Sequence, residues 1–277
     1  MVPAAVYPVP ELALASIALL LLVAALALAV YLLFYRPVGR RETWGIGEML
    51  GISLLFILAL PMAAVLIRMT EPLTLGTLSI VTIAQNAIFA GLSAYVVMVR
   101  YGLKPQRLGV RLDGWSRRIV LGAVAAAVTI PLAIASEHLA VLLLGLVEGP
   151  AQAAARAAAE HLADPLRPVF ETLSGPAPAV WLLFLLAVVV PIGEEVFFRG
   201  LVYGGLRARW GVPAAMLVSA VFFTAVHVQI VHALPIFVLG LFLAMLYERT
   251  GSLVSSVVTH GLNNVIAVVA LWRGWGL

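Results

Sequence analysis

Long apolar stretches separated by short polar segments make up most of the 277-residue chain. A helix that spans a bilayer needs about 20 mainly apolar residues, and eight segments come close to this requirement. Their approximate limits are Ala13–Tyr35, Gly47–Ile67, Leu75–Val99, Ile119–Val147, Val180–Leu201, Ala214–Val231, Leu234–Tyr247 and Leu253–Trp272. The sixth and seventh segments are short, which leaves seven helices as the alternative count. We therefore expect an all-α, polytopic membrane protein with about eight transmembrane helices.

The composition agrees with this pattern and excludes the kinds of site that depend on cysteine. Hydrophobic residues make up 63% of the chain and charged residues only 11%, whereas a soluble domain has about 25% charged residues. Cysteine is absent, which excludes disulfides, cysteine-based zinc sites and thiol nucleophiles. No segment predicts a soluble domain, so residues 1–277 are expected to form a single membrane-embedded domain.

The distribution of the 17 Lys and Arg residues among the loops indicates the topology of the chain in the membrane. Assigning the loops alternately to the two sides of the bilayer places thirteen of them on one side, against Arg68, Arg156, Arg167 and Arg273 on the other. Basic residues accumulate on the cytoplasmic side, so both termini are expected to be extracytoplasmic. The first apolar segment lacks a basic start, and we expect a retained helix rather than a signal peptide. The partner is the lipid bilayer, with no role for nucleic acid, and the Ala-, Arg- and Pro-rich composition indicates a prokaryotic cell membrane.

Several polar side chains interrupt the later apolar segments. They are Glu194, Glu195 and Arg199 in the fifth segment, His227 in the sixth, and His260 and Asn264 in the eighth. A charged side chain at the centre of a spanning helix costs about 2.5 to 3.5 kcal/mol on insertion scales, so such groups are usually paired or functional. Their occurrence on separate spans predicts one intramembrane polar site.

Helical spacing indicates how these side chains are arranged. Glu195 and Arg199 stand at i and i+4, with the acid first, which favours an ion pair. Glu194 points about 100° away, has no cation one turn later, and is expected to face another helix. His260 and Asn264 share one helix face, as do Phe223 and His227 by the same spacing.

Glu194, His227, His260 and Asn264 are thus predicted to meet between three helices. A carboxylate and an imidazole can deprotonate water and move its proton, while further donors stabilise an oxyanion, which are the requirements of acyl transfer to water. Each residue alone is explained as well by packing or by a hydrogen bond between helices.

Three motifs in this region resemble those of a known family. They are Glu194-Glu195-Val196-Phe197-Phe198-Arg199, Phe223-Thr224-Ala225-Val226-His227 and His260-Gly261-Leu262-Asn263-Asn264. In order and spacing they are similar to the EExxxR, FxxxH and HxxxN/D motifs of the CPBP intramembrane proteases, the CAAX protease and bacteriocin-processing family. The resemblance covers a core of residues 119–272 and leaves the N-terminal helices of residues 1–110 outside it.

The resemblance implies an endopeptidase that acts on a peptide or membrane-protein substrate. Glu194 and His227 would activate the water, and His260 and Asn264 would hold the oxyanion. Glu195 and Arg199 would orient these groups rather than attack the substrate. The resemblance does not decide whether prenylated CAAX proteins are cleaved.

Two alternatives stay open at this point. Glu194, His227 and His260 would also satisfy a zinc site with two histidines and a carboxylate, although Asn264 beside His260 favours a metal-free, glutamate-type mechanism without a cofactor. A non-enzymatic protein, either a proton-coupled carrier or a bacteriocin-immunity or secretion partner, could use the same cluster as a relay or as helix glue. Carriers often show repeated halves, which this chain does not clearly show, and we favour the enzyme.

The remaining polar residues receive simpler interpretations. The connection from Glu148 to Pro178 predicts a short interfacial helix between proline breaks, with a substrate-gating lid as the alternative. Glu137 and His138 form a polar pair within the fourth segment, which predicts a hydrogen bond at or between helices. His232 in a short outer loop needs no role, and His161 in the connection is expected to be solvated.

Overall fold

The computed structural model describes residues 23–35, 43–55, 73–164 and 166–273. Within these ranges there is no β-strand, and five helices are long and apolar enough to cross a membrane. The prediction of an all-α, polytopic membrane protein is confirmed. Both termini and much of the first two predicted spans lie outside the described residues, so the count of eight and the orientation of the termini stay predictions.

The helices are numbered here in chain order. They are α1 (Val23–Tyr35), α2 (Ile46–Leu55), α3 (Leu75–Arg100), α4 (Trp115–Glu148), α5 (Pro150–Leu162), α6 (Arg167–Thr172), α7 (residues 176–210), α8 (residues 212–225), α9 (Ala233–Thr250) and α10 (Leu253–Arg273). The predicted third, fourth, seventh and eighth spans correspond to α3, α4, α9 and α10. The predicted connector contains two helices, α5 and α6, instead of one.

Helices α7 and α8 form a continuous run that is interrupted only at Gly211. This residue has φ 77°, a left-handed conformation that glycine adopts without a steric cost. Pro213 follows near the start of α8, where a missing N–H is tolerated. The fifth predicted span therefore continues as a helix beyond Leu201 to residue 210, because the polar residues that follow Leu201 do not break the helix.

Helix α8 ends at Ala225, short of the predicted limit at Val231. In a continuing helix, the Phe223 carbonyl would accept from the backbone N–H of His227. Here the ring Nδ1 of His227 bonds that carbonyl at 2.7 Å, and the backbone N–H of His227 donates instead to Thr224 at 3.1 Å. The histidine thus ends the helix, and the expectation that it projects from a helix face was wrong.

Helix α7 contains two wide, π-type segments, Leu185–Val189 and Val196–Tyr203, on either side of the turn that carries Glu194. Pro191 has no N–H and cannot donate to a carbonyl in the preceding turn. The Leu186 carbonyl, which stands five residues earlier at the π spacing, accepts from Asn264 Nδ2 at 2.8 Å. A side chain of α10 thereby replaces the missing backbone donor of α7.

Helix α10 is fixed between α4 and α7. On one side, polar side chains one turn apart bond α4: Ser255 donates to the Arg118 carbonyl and Thr259 to the Gly122 carbonyl, both at 2.9 Å. Such polar contacts join helices where lipid supplies no hydrophobic driving force. On the other side, Gly261 lies so close to α7 that any side chain there would collide with the backbone carbonyl of residue 187. These contacts set the direction in which His260 points.

An aromatic cluster fills the space behind the site. Phe89 of α3 stacks on Phe197 with ring centroids 4.5 Å apart, and Phe198 meets Phe223 edge to face at 5.0 Å. All four rings are buried. The turn of α7 that carries the two glutamates is therefore held in a rigid apolar surround.

Candidate active site

Glu195 and Arg199 form the predicted ion pair deep in the protein. Arg199 Nη1 lies 3.2 Å from Glu195 Oε1, and the two residues are 1% and 0% exposed. Arg199 Nη2 also donates to the Gly240 carbonyl of α9 at 3.3 Å, and its guanidinium lies 4.5 Å from the centroid of the Phe223 ring. Pairing and a cation–π contact offset the cost of burying this cation.

His260 lies between the two glutamates of α7. Its Nδ1 is 3.1 Å from Glu195 Oε1, and its Nε2 is 3.8 Å from Glu194 Oε2. Because a carboxylate oxygen accepts, Nδ1 carries the proton of the shorter contact. The longer contact is beyond hydrogen-bond distance, so a proton on Nε2 would remain available to another acceptor.

The charges of this cluster leave room for one more proton. Two carboxylates and one guanidinium sum to one negative charge, which an additional proton on His260 or Glu194 neutralises. Among the described residues, the buried Oε2 atoms of Glu194 and Glu195 have no hydrogen-bond partner. A buried polar atom without a partner is costly, and each such atom calls for an explanation.

His227 presents a defined ring nitrogen. Its Nδ1 bonds the Phe223 carbonyl, and since a carbonyl only accepts, Nδ1 is the protonated nitrogen. In the neutral ring, Nε2 then carries the lone pair. The ring also packs against that of Phe223, with centroids 4.7 Å apart. His227 is therefore held as a proton acceptor.

A cavity of about 300 Å³ joins several of the predicted residues. Its lining includes His227, His260 and Asn264, together with Phe223 and mainly apolar side chains of α4, α9 and α10. The structure therefore brings together residues from the loop after α8 and from α10, as predicted. Glu195 and Arg199 do not line this cavity and lie behind His260.

Glu194 departs in part from the expected arrangement. It is absent from the cavity lining, and in the described chain no hydrogen bond or ion pair connects it to His227. Its contact with the site is through His260. The side chain is 11% exposed, so the carboxylate is not sealed from the surroundings.

The two adjacent asparagines of α10 differ in their remaining donors. Asn264 uses Nδ2 on the Leu186 carbonyl, which leaves one N–H of the amide for the cavity. Asn263 also lines the cavity but donates to Thr129 Oγ1 and to the Thr259 carbonyl, both at 2.8 Å. Asn264 is thus the asparagine that can still donate to a ligand.

Sequence reasoning overlooked two other residues near the site. Asn263 was not predicted as a site residue, whereas Asn264 was, although both interrupt the same apolar segment. Asn86 of α3 is 4% exposed and lies against Gly193, directly before Glu194, and its Oδ1 has no hydrogen-bond partner among the described residues. A lone asparagine in the apolar third span was a signal that could have identified it.

A second polar group lies at the other end of the cavity, here called the mouth cluster: Glu137, Glu160 and His232. His232 Nδ1 is 2.9 Å from Glu160 Oε1, and its Nε2 is 3.7 Å from Glu137 Oε1. His232 was expected to need no role, and the structure shows that residues far apart in the sequence converge on it. His138, in contrast, bonds the Ile134 carbonyl of its own helix at 2.8 Å.

The three candidate zinc ligands are not grouped into one site in the structure. Across residues 23–35, 43–55, 73–164 and 166–273, no three His, Asp or Glu side chains are grouped so that they could hold a metal ion. Glu194, His227 and His260 therefore do not form the assembled ligand set that the sequence allowed. The metal-free mechanism stays a prediction, which cleavage in the presence of a chelator tests.

Comparison with known proteins places the site in a family context. Residues 176–266 match the family described as Type II CAAX prenyl endopeptidase Rce1-like. This range contains all six predicted site residues and lies within the predicted core. The resemblance to the CPBP intramembrane proteases is confirmed. The division of the chain into a core and outer helices stays a prediction.

Two curated bacterial proteins are similar over shorter ranges. "Putative membrane peptidase YdiL" of Bacillus subtilis is 31% identical over 88 residues, which cover 32% of this chain and 36% of that protein. "UPF0177 protein YxdF" of Lactococcus lactis is 26% identical over 98 residues, which cover 35% and 54%. The chain thus spans between about a third and a half of these relatives. No solved structure matches the chain significantly.

Proposed function

We propose that this protein is an intramembrane endopeptidase that cleaves a peptide or a membrane protein. The observation that carries the proposal is the convergence of His227, His260 and Asn264 on one cavity, with Glu194 beside His260. Polar groups from separate elements at an apolar cavity are expected where a reaction with water takes place inside a membrane. The similarity of residues 176–266 to a family of endopeptidases supports the same activity.

In this mechanism, a water at the inner end of the cavity attacks the carbonyl carbon of the scissile bond. The Glu194 carboxylate, which is connected to the site through His260, accepts its proton. The lone pair on His227 Nε2 accepts a hydrogen bond from the other O–H of the water and orients the attack. Glu194 then gives its proton to the nitrogen of the leaving amine as the C–N bond breaks. Such proton transfers contribute about 10²- to 10⁴-fold to a rate.

The tetrahedral oxyanion is held from α10. Asn264 supplies the amide N–H that it does not use on Leu186, and His260 supplies Nε2–H. Glu195 accepts a hydrogen bond from Nδ1–H of His260, and the ion pair with Arg199 holds Glu195 in place. The Glu195–Arg199 pair therefore orients His260 and stabilises its positive charge. Glu195 and Arg199 are therefore positioning residues.

A proton-coupled carrier is the second candidate, and the feature that favours it is the mouth cluster. Two histidines, each between two carboxylates, lie along the same cavity, and such an array could pass protons. A carrier would use Glu194 and His260 without hydrolysing any bond.

The test is cleavage of a varied peptide pool by the full-length protein purified in detergent. The pool includes membrane-spanning peptides and prenylated CAAX peptides, and each reaction is run with and without a chelator. Glu194→Gln keeps the shape of the side chain but removes the proton acceptor, so cleavage should fall to background. The matched control is Glu171→Gln, an exposed glutamate of α6 that does not line the cavity.

Cleavage by the wild type and by Glu171→Gln, together with its loss in a folded Glu194→Gln, would support the proposal. Full activity of Glu194→Gln would overturn the assignment of the base. If no peptide is cleaved and the wild type carries protons into liposomes in a Glu194-dependent manner, the carrier replaces the peptidase.

A further inference from the structure

The loop of residues 226–232, which carries His227, has an unusual backbone. Val228 has φ 52°, the only non-glycine residue with a positive φ in the part of the chain that the structure describes. The left-handed region is a genuine outlier for a β-branched residue. The Val228 side chain is 83% exposed, so its own packing does not hold this conformation. Contacts elsewhere in the loop must supply the constraint.

Those contacts come from Glu160, near the end of the connector helix α5. Its Oε2 accepts from the backbone N–H groups of Ile230 at 3.2 Å and Val231 at 3.1 Å. Its Oε1 accepts from the backbone N–H of His232 at 3.4 Å and from the ring Nδ1 at 2.9 Å. One carboxylate thus binds consecutive N–H groups of the loop, an arrangement that backbone nests offer to anions.

The charge of Glu160 is favoured by this arrangement. Desolvation raises the pKa of Glu160, but hydrogen bonds from the His232 ring and from the backbone N–H groups of Val231 and His232 outweigh it, and the pKa lies below its usual value. The carboxylate therefore remains an acceptor for the loop at neutral pH.

The loop also faces α4. His232 Nε2 lies 3.7 Å from Glu137 Oε1, which is beyond hydrogen-bond distance, so Glu160 supplies the direct hydrogen bonds to the loop. Glu160 lies about 70 positions from the loop in the chain, so no local chain constraint accounts for the contact. His227, Glu160 and His232 all line the same cavity.

We propose that Glu160 is a positioning residue for His227, and that the connector helix α5 is consequently a working part of the active site. This inference rests on the proposed function. Glu160 fixes the backbone of residues 230–232, which in turn holds the strained turn at Val228 and keeps the His227 ring on the cavity wall. The simpler interpretation of α5, as a segment that only joins α4 to α6, does not account for a carboxylate with four hydrogen bonds to this loop.

The natural absence of cysteine allows the loop to be observed directly. A nitroxide label on Val228→Cys, at an exposed side chain, reports loop mobility by electron paramagnetic resonance in the full-length protein. This background is combined with Glu160→Ala, which removes every contact, and with Glu160→Gln, which keeps one acceptor oxygen. The matched control is Glu148→Ala, which removes a carboxylate that bonds Arg156 of α5 at 2.6 Å without touching the loop.

The label should be most mobile in Glu160→Ala, intermediate in Glu160→Gln and unchanged in Glu148→Ala. The kcat for a cleaved peptide should follow the same order, with a loss of about 10- to 100-fold in Glu160→Ala and an unchanged KM, because a misplaced catalytic group slows the chemical step.

An unchanged spectrum in Glu160→Ala would overturn the proposal, as would a mobile loop with unaltered kcat. An equal loss of kcat in Glu148→Ala would also overturn it, since that result indicates a general effect of loosening α5. Failure of the proposed function gives a different result, in which the wild type cleaves no peptide. The mobility of the label then still tests whether Glu160 anchors the loop, and only the role of Glu160 in catalysis is excluded.

Discussion

Two histidines of this protein each lie between two carboxylates, at nearly the same distances but in very different surroundings. For His260 the distances are 3.1 Å to Glu195 and 3.8 Å to Glu194. For His232 they are 2.9 Å to Glu160 and 3.7 Å to Glu137. The side chain of His260 is 4% exposed, whereas that of His232 is 28% exposed.

The surroundings determine what each arrangement requires. Around His260 there is little water to solvate the charges, so Arg199 is buried with the carboxylates and supplies the compensating cation. At the mouth, backbone N–H groups and partial exposure satisfy Glu160, and no arginine in the described part of the chain forms an ion pair with it. Under the two proposals above, the buried triad around His260 takes part in the reaction, whereas the partly exposed triad around His232 holds the backbone of the loop.

The largest effect should appear when His260 is replaced by glutamine, with the same replacement of His232 as the comparison. His260→Gln can still donate to Glu195 but cannot carry a positive charge, and kcat should fall by about 10²- to 10⁴-fold. His232→Gln should cost at most about tenfold, because Glu160 keeps its backbone contacts with the loop. Steady-state kinetics on one cleaved peptide would check both values. Similar losses in the two variants would contradict the distinction between them.

The next effect concerns the cation of the buried cluster. Arg199→Met removes the buried cation that is paired with Glu195, and the free energy of unfolding should fall by about 3 to 5 kcal/mol. The matched variant is Arg207→Met, which removes a partly exposed ion pair with Glu248 of 2.7 Å and should cost about 0 to 1 kcal/mol. Denaturant titration in detergent micelles measures both. An equal loss in the free energy of unfolding for the two variants would show that burial does not make the Arg199–Glu195 pair more important than the Arg207–Glu248 pair.

A smaller effect is expected for the asparagines of the cavity wall. Asn264→Ala removes a donor to the oxyanion, and kcat should fall by about 10²- to 10³-fold. Asn263→Ala should leave kcat closer to that of the wild type, since its N–H groups are already bonded to Thr129 and Thr259. The ratio of the two kcat values is the measurement. Retained activity in Asn264→Ala would remove it from the oxyanion site.

Local periodicity predicted much of the arrangement of Glu195, Arg199, His260 and Asn264. The i, i+4 spacing predicted the ion pair of Glu195 and Arg199, which the structure shows at 3.2 Å, and it also placed His260 and Asn264 together on one face of α10. Hydrophobic length identified the helices because a bilayer imposes a minimum span. Both signals depend only on neighbouring residues.

The mouth cluster could not be predicted in the same way. The contact between Glu160 and the loop joins residues about 70 positions apart, and nothing in an alanine-rich connector indicates which partner its acid will meet. The end of α8 was also misplaced, because the competition between the His227 ring and its backbone N–H for one carbonyl is not encoded in hydropathy.

The contact of Gly261 with α7 has a mechanical consequence. Since the backbones of α7 and α10 meet without an intervening side chain, and Asn264 bonds the Leu186 carbonyl nearby, the two helices cannot slide past each other without losing both contacts. These contacts keep Glu195 of α7 and His260 of α10 in register. Under the proposed function, the movement that admits a polypeptide substrate would fall on α4, the connector and α9, which also line the cavity, and displacing the connector would release the loop of His227 as well.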